Sequence, residues 1–216
     1  KIEMVADFSM RIHLQYRYPK LYDFWIGFLH TKRLLQQLRE EIGLNKNIFD
    51  IGAGYGRMAS FISPSNVYYG IDLNEVWVRK GREKGISLEV KSFFDPAAYK
   101  KSDIFLLIDI IHYLSHEELK KLFDLVFQYA QKKVIIMDPS FETQLQRFGI
   151  FKKLVGWIFR ILDNDGFSKI PKLLMDAGYE ELFENRFGSI HGEMFRMEHQ
   201  KIDGYHLVTL SKRVHE

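Results

Sequence analysis

At 216 residues, 46% of them hydrophobic and 27% charged, the chain is long enough to bury the full core of one α/β domain and too apolar for extended disorder. Its net charge of +3 does not by itself demand nucleic acid or a membrane as partner, and the absence of cysteine excludes disulfides, cysteine-ligated metal and thiolate catalysis. No apolar run approaches the roughly 20 residues that cross a bilayer, and the opening residues lack a signal-peptide core, so the expected location is the cytoplasm.

A helical region opens the chain. Leu21, Phe24, Trp25, Phe28, Leu29, Leu34, Leu35 and Leu38 fall at helical spacing, which predicts one helix over 20–41, ended by Gly43. The first strand is expected at 47–52, then a helix from about Gly56 to Ile62, and Ser63-Pro64-Ser65-Asn66 breaks the chain. Val67 to Asp72 reads as the second strand, with Asn74 capping a helix that reaches about Lys84, and Ile86 to Val90 as the third. The run from Asp103 to Asp109 is almost wholly apolar, as a central strand covered on both faces should be. Ser115 with Glu118 three residues later forms a capping-box start, and Lys133 to Asp138 predicts a fifth strand stopped by Pro139. A long connection over 140–166 follows, then a helix over 167–177 and closing strands over 179–186 and 204–210. Strands alternating with helices predict a doubly wound α/β fold. A single domain over 1–216 is expected, made of a helical region at 1–45, a ligand-binding half at 46–138, a helical insertion at 139–166 and a closing half at 167–216.

The most informative stretch is Ile48-Phe49-Asp50-Ile51-Gly52-Ala53-Gly54-Tyr55-Gly56, an apolar strand running through an acid into three alternating glycines. Glycines without Cβ, able to take positive φ, let a small molecule approach the backbone N–H groups there. A dinucleotide fingerprint needs its third glycine where this chain has Arg57, and a pyrophosphate is repelled by Asp50. An ammonium for Asp50 and a carboxylate for the loop amides fit better, and S-adenosylmethionine carries both. The motif resembles the first motif of the class I methyltransferases, which reads apolar-acidic-apolar-Gly-x-Gly-x-Gly. That resemblance implies a mostly parallel seven-stranded sheet with the last strand antiparallel, S-adenosylmethionine as methyl donor and S-adenosylhomocysteine as product. The implied donor-binding set is Asp50, Gly52, Ala53, Gly54, Tyr55, Gly56, Asp72, Leu73, Phe94, Asp95 and Asp109.

Four successive strands, or the loops after them, end in acid: Asp50, Asp72, Asp95 and Asp109. In open α/β sheets the ligand lies outside those carboxyl ends. Asp72, about 20 residues past the first glycine, stands where a carboxylate accepts the hydroxyls of a ribose. Asp95 is placed for the exocyclic amine of adenine, with Leu73 and Phe94 against the ring faces.

Methyl transfer from a sulfonium is an in-line displacement of an activated group, so alignment and desolvation do most of the work. Where the acceptor must lose a proton, His112 after the fourth strand is the first candidate base, with Tyr113 beside it to orient the acceptor. His191 and His206 rank second. His112 and His116 straddle a helix start at Ser115, so no metal site is expected.

Within the insertion, Phe151, Leu154, Val155, Trp157, Ile158, Phe159, Ile161 and Leu162 fall on a wide helical arc opposite Lys152, Lys153 and Arg160. This fits a lid over a small, lipid-like acceptor, peripheral membrane contact through 147–162, or a core element with a basic face. Tyr16, Arg17, Tyr18 and Trp25 add aromatic and basic material upstream. Nucleic acid is not an expected partner. A binding module of the same fold without turnover and an NAD(P)-dependent oxidoreductase are the competing readings, the second weakened by the absence of a Tyr-x-x-x-Lys pair in a suitable helix.

Overall fold

A computed structural model describes residue 27, residues 29–140, residue 182 and residues 194–213 of the protein. The aromatic run at 16–25, nearly all of the 139–166 insertion with its proposed lid, the helix expected over 167–177, the strand expected over 179–186 (except Leu182) and His191 lie outside the described residues.

Seven strands form one sheet in the order β3-β2-β1-β4-β5-β7-β6. They are β1 (Asn47–Ile51), β2 (Val67–Asp72), β3 (Leu88–Val90), β4 (Ser102–Ile108), β5 (Ala130–Pro139), β6 (Phe195–Ile202) and β7 (Tyr205–Lys212). The first five run parallel, and β7 is antiparallel to both of its neighbours, β5 and β6. The chain therefore grows outward from β1 in one direction and from β4 in the other. Their shared carboxyl edge is the switch point where such sheets hold ligands.

Alternation along the buried strands builds two cores. Phe49, Ile51, Phe105, Leu107, Val134 and Ile136 join one cluster, while Ile48, Ile104, Leu106, Ile108, Ile135 and Met137 join the other. A period of two in an all-apolar run is what a parallel sheet covered on both faces requires. Helix α3 (His116–Tyr129) covers the first cluster with Leu119, Leu122, Phe123 and Val126; α1 (Lys32–Ile42) covers the second with Leu34, Leu38 and Ile42. Fully burying a side chain of this size contributes about 1.5–3 kcal/mol, so these two layers fix the sheet and thereby its edge. The third helix, α2 (Glu75–Glu83), begins at an Asn74 side chain that accepts from Trp77 N–H, and α3 begins at the expected capping box of Ser115 and Glu118.

Several expected boundaries move. The single helix read over 20–41 is broken at His30 and Thr31: Thr31 is extended at ψ 158° and caps α1 by accepting from Leu34 N–H. Its hydroxyl donates to Asp203 across the fold, so a cap and a tertiary contact override the helical spacing. The helix expected from Gly56 shrinks to one 3-10 turn, Arg57–Ser60, started by a left-handed Gly56. The third strand begins at Leu88 rather than Ile86, because Ile86 N–H turns back to the carbonyl of Gly81. The fifth strand extends to Ala130 and Pro139, and the seventh runs on to Lys212. Strand β6 was not anticipated, and it joins β7 through Asp203 and Gly204, at φ 49° and 85°. Positive φ at both central residues is the tight hairpin turn that Asp-Gly favours.

Candidate functional site

The carboxyl edge collects the acids that the sequence singled out, and each is held differently. Asp72, at the end of β2, accepts from Gly54 N–H at 2.8 Å with one oxygen and from Asn74 N–H at 2.7 Å with the other. Both oxygens retain acceptor capacity. Burial raises its pKa, and the two amides pull the other way. Next to it Leu73 is 57% exposed, a large apolar side chain presented at the edge.

Asp50 is only 2% exposed. Its Oδ2 accepts from the Tyr68 hydroxyl at 2.5 Å. Burial lifts its pKa to about 7 despite that bond, and the nearby Asp72 charge adds to the rise. Asp95 is exposed and caps the 3-10 turn Pro96–Ala98 by accepting from Ala97 N–H, while Phe94 packs against Phe93 and the first core cluster. Asp109 follows β4 at φ 53°, a left-handed conformation that Asp and Asn tolerate better than other side chains.

The glycine loop differs from expectation in two ways. Its amides do not point outward as a set: Gly52 and Ala53 donate to the Ile71 carbonyl, Gly54 to Asp72 and Gly56 to the Ala53 carbonyl. A sharp turn buried against β2 must satisfy its own N–H groups. The missing Cβ atoms serve packing as well: at Gly52 a Cβ would lie 2.6 Å from Ile110 Cδ1, and at Gly54 2.9 Å from the Trp77 ring. Their φ values of 70° and 57° also favour glycine. Tyr55 is buried in this loop, edge-on to Trp77.

Two networks were legible only in part, since the sequence named Asp109 and His112 as site candidates but not the partners that hold them. In the first, Arg57 Nη1 lies 2.7 Å from His30 Nδ1, and His30 Nε2 lies 2.9 Å from Asp109 Oδ2. A guanidinium has no acceptor, so Nδ1 must accept and Nε2–H must donate to the carboxylate. His30 is 4% exposed, and its ring stands edge-on to Tyr205. The other carboxylate oxygen, Asp109 Oδ1, is buried and has no hydrogen-bond partner among the described residues.

The second network joins His112 to Asp138, the last polar residue of β5. Nδ1 of His112 is 2.9 Å from Asp138 Oδ1, and its backbone N–H donates to Oδ2 at 3.1 Å. Asp138 is wholly buried and His112 is 6% exposed. With the carboxylate taking the Nδ1 proton, Nε2 is the basic nitrogen, the arrangement of an oriented general base. The Tyr113 ring lies 4.0 Å from that of His112. His206, a second-rank candidate, stands opposite Asp138 in the β5–β7 register, is wholly buried and bonds His199 at 2.8 Å.

Asp138 carried the same signal that marked the other acids, a carboxylate at a strand end. Arg57 was visible only as the residue replacing a glycine, and His30 had no signal, since its partners are 27 and 79 residues away.

This fold is that of the class I S-adenosylmethionine-dependent methyltransferases. The plantazolicin methyltransferase BpumL, solved with S-adenosylhomocysteine, superposes with a TM-score of 0.66 at 15% identity, over 96% of this chain and 92% of that one. A methyltransferase from Archaeoglobus fulgidus gives 0.60 at 16% identity, over 90% and 100%. The magnesium protoporphyrin IX methyltransferase of Synechocystis, also with S-adenosylhomocysteine, gives 0.57 at 14% identity, over 89% and 86%. No family model and no curated relative matches the sequence.

Proposed function

We propose that this protein is an S-adenosylmethionine-dependent methyltransferase acting on a small, lipophilic acceptor. The observation that carries the reading is Asp72: a carboxylate at the end of β2, oriented by one backbone amide on each oxygen and with acceptor capacity left on both. A ribose diol is the ligand such a group suits, because two hydroxyls can donate to one oriented carboxylate. Leu73 offers an apolar face for adenine, and Phe94-Asp95 lies beyond the neighbouring strand β3. Methyltransferases of this fold with S-adenosylhomocysteine bound support the same choice of donor.

S-adenosylmethionine, when bound, supplies a methyl group activated on sulfur. The residues at the ends of β1, β2 and β4 would hold and orient that donor, and His112, in the turn that follows β4, would accept the proton of a hydroxyl or amine acceptor. Asp138 holds the imidazole in the tautomer that presents Nε2 as base. The lipophilic acceptor is supported by the 15% aromatic content and by the apolar arc at 151–162, which also suits peripheral contact with lipid. Among the described residues no helix is long and apolar enough to cross a membrane.

Titration calorimetry with S-adenosylmethionine, S-adenosylhomocysteine and NADH tests the donor. Micromolar binding of the sulfur ligands without a response to NADH is expected; no heat from either sulfur ligand at millimolar concentration sinks the proposal. Labelled methyl donor added to cell extract then reports the acceptor, with counts expected in the organic-soluble fraction.

A further inference from the structure

The acids of the candidate site stand at the carboxyl ends of the strands, and the amino ends carry the opposite charge. Lys46 precedes β1, Lys100 and Lys101 precede β4, Lys132 lies near the start of β5, and Lys212 and Arg213 close the antiparallel β7. Those four strands are neighbours in the sheet. The register aligns their ends, since Ser102 pairs with Ala130 and Lys133 with Ser211. Contacts along the edge agree: Lys132 Nζ is 2.7 Å from Asp103, whose Oδ2 accepts from Asn47 N–H, and Lys212 Nζ donates to the Ala130 carbonyl at 3.4 Å. With about 4.8 Å between strands, the cations form a stripe about 15 Å long.

Little on that edge neutralises it. Among the described residues Asp103 pairs with Lys132 and Glu41 with Lys133, whereas Lys101 and Arg213, both exposed, enter no ion pair. Lys100 lies over the Tyr69 ring, a contact that leaves its charge in place. Two apolar side chains face water beside the stripe: Leu44, 60% exposed before β1, and Val67, 65% exposed at the head of β2. Val67 N–H bonds the carbonyl of Lys46, so this apolar pair adjoins the end of the stripe.

The combination selects among anionic partners. Apart from Arg213 the cations are lysines, point charges on flexible stems that suit a diffuse phosphate surface better than bidentate recognition of one group. No aromatic ring is exposed among the described residues to stack on nucleic-acid bases. Apolar side chains next to cations fit a surface with charge outside and an apolar layer beneath. We propose that the amino edge of the sheet docks on an anionic lipid surface, with Lys46, Lys100, Lys101 and Arg213 at the headgroups and Leu44 and Val67 just below them. This surface is separate from the candidate methyl-transfer site, because the length of β4 alone sets the two edges roughly 20 Å apart. The acids at the far edge sharpen the orientation, since an anionic surface attracts one end of the strands and repels the other.

Cosedimentation of the full chain with vesicles tests this without donor or acceptor, so its failure leaves the methyltransferase reading standing. At about 0.1 M salt, phosphatidylcholine vesicles with about 30% phosphatidylglycerol should bind the protein at least about tenfold more tightly than phosphatidylcholine alone, and about 0.5 M salt should remove most of the difference. Lys101→Glu combined with Arg213→Glu reverses two exposed charges that make no ion pair, and it should weaken binding by about tenfold or more while the melting temperature stays unchanged. Leu44→Ser should weaken binding by about threefold to tenfold. Equal binding to both kinds of vesicle, or full binding by the double variant, overturns the proposal. Loss of binding in Trp157→Ala with none in the double variant also overturns it, by assigning the contact to the arc at 151–162. Tighter binding to duplex DNA than to the anionic vesicles would overturn it in favour of nucleic acid.

Discussion

On the β2–β3 side of the carboxyl edge, acids are held by groups close in sequence: Asp72 by amides 2 and 18 residues away, Asp95 by an amide 2 residues away. On the β4–β5 side they are held by histidines from distant elements, Asp138 by a residue 26 positions away and Asp109 by one 79 positions away. The first arrangement grows out of local turns and forms wherever the strand and its loop form. The second exists only once the whole sheet is assembled. On the proposed function this difference becomes a division of labour, in which the local acids would shape a site for the nucleoside and the assembled pairs would place charge and a base where the reacting ends meet.

The comparison is broken most severely at Asp138. Asp138→Ala strands two buried donors of His112, so urea unfolding should show a loss of about 3–5 kcal/mol. A loss near zero would mean the pair is not formed.

Asp50 gives the next largest effect, through pH. Its carboxyl has a higher pKa folded, about 7, than the ordinary 3.8 of the unfolded chain. The folded state therefore holds the proton more tightly, and this contribution to stability is complete below pH 4 and lost as pH rises to 7 and beyond. Asp50→Asn should remove that decline and exceed the parent in stability at pH 8 by on the order of 2–4 kcal/mol. Melting curves of the two proteins from about pH 4 to 8 should converge at the acid end; parallel curves would refute the shift.

Asp72→Ala should cost about 1–3 kcal/mol of S-adenosylhomocysteine affinity, because ribose hydroxyls lose a charged acceptor. Unchanged affinity would remove the basis of the donor assignment. The smallest effect is expected at exposed Asp95, where Asp95→Ala removes one turn cap and should lower stability by about 0.5 kcal/mol. A larger loss in thermal melts would show that Asp95 does more than cap its turn.

What was legible in the sequence follows the same line. Asn74, the Ser115–Glu118 capping box and the apolar run before Asp109 act through neighbours within a few residues, and they appear where the spacing put them. The Asp203-Gly204 turn was equally local, and its dipeptide was a readable hairpin signal that would have revealed β6. The break at Thr31 was not readable, because the Asp203 carboxylate that helps to fix it is 172 residues away. The glycine loop was recognised by pattern, yet the direction of its amides depends on Ile71 and Asp72 of the next strand.

The division of labour along the edge is tested most directly by one set of calorimetric titrations with S-adenosylhomocysteine, using Asp72→Asn, Asp109→Asn and His112→Gln. The account predicts at least about tenfold weaker binding in the first two and affinity within about twofold of the parent in the third. His112→Gln losing as much affinity as Asp72→Asn would contradict it, since His112 would then belong to the donor site rather than to the acceptor side.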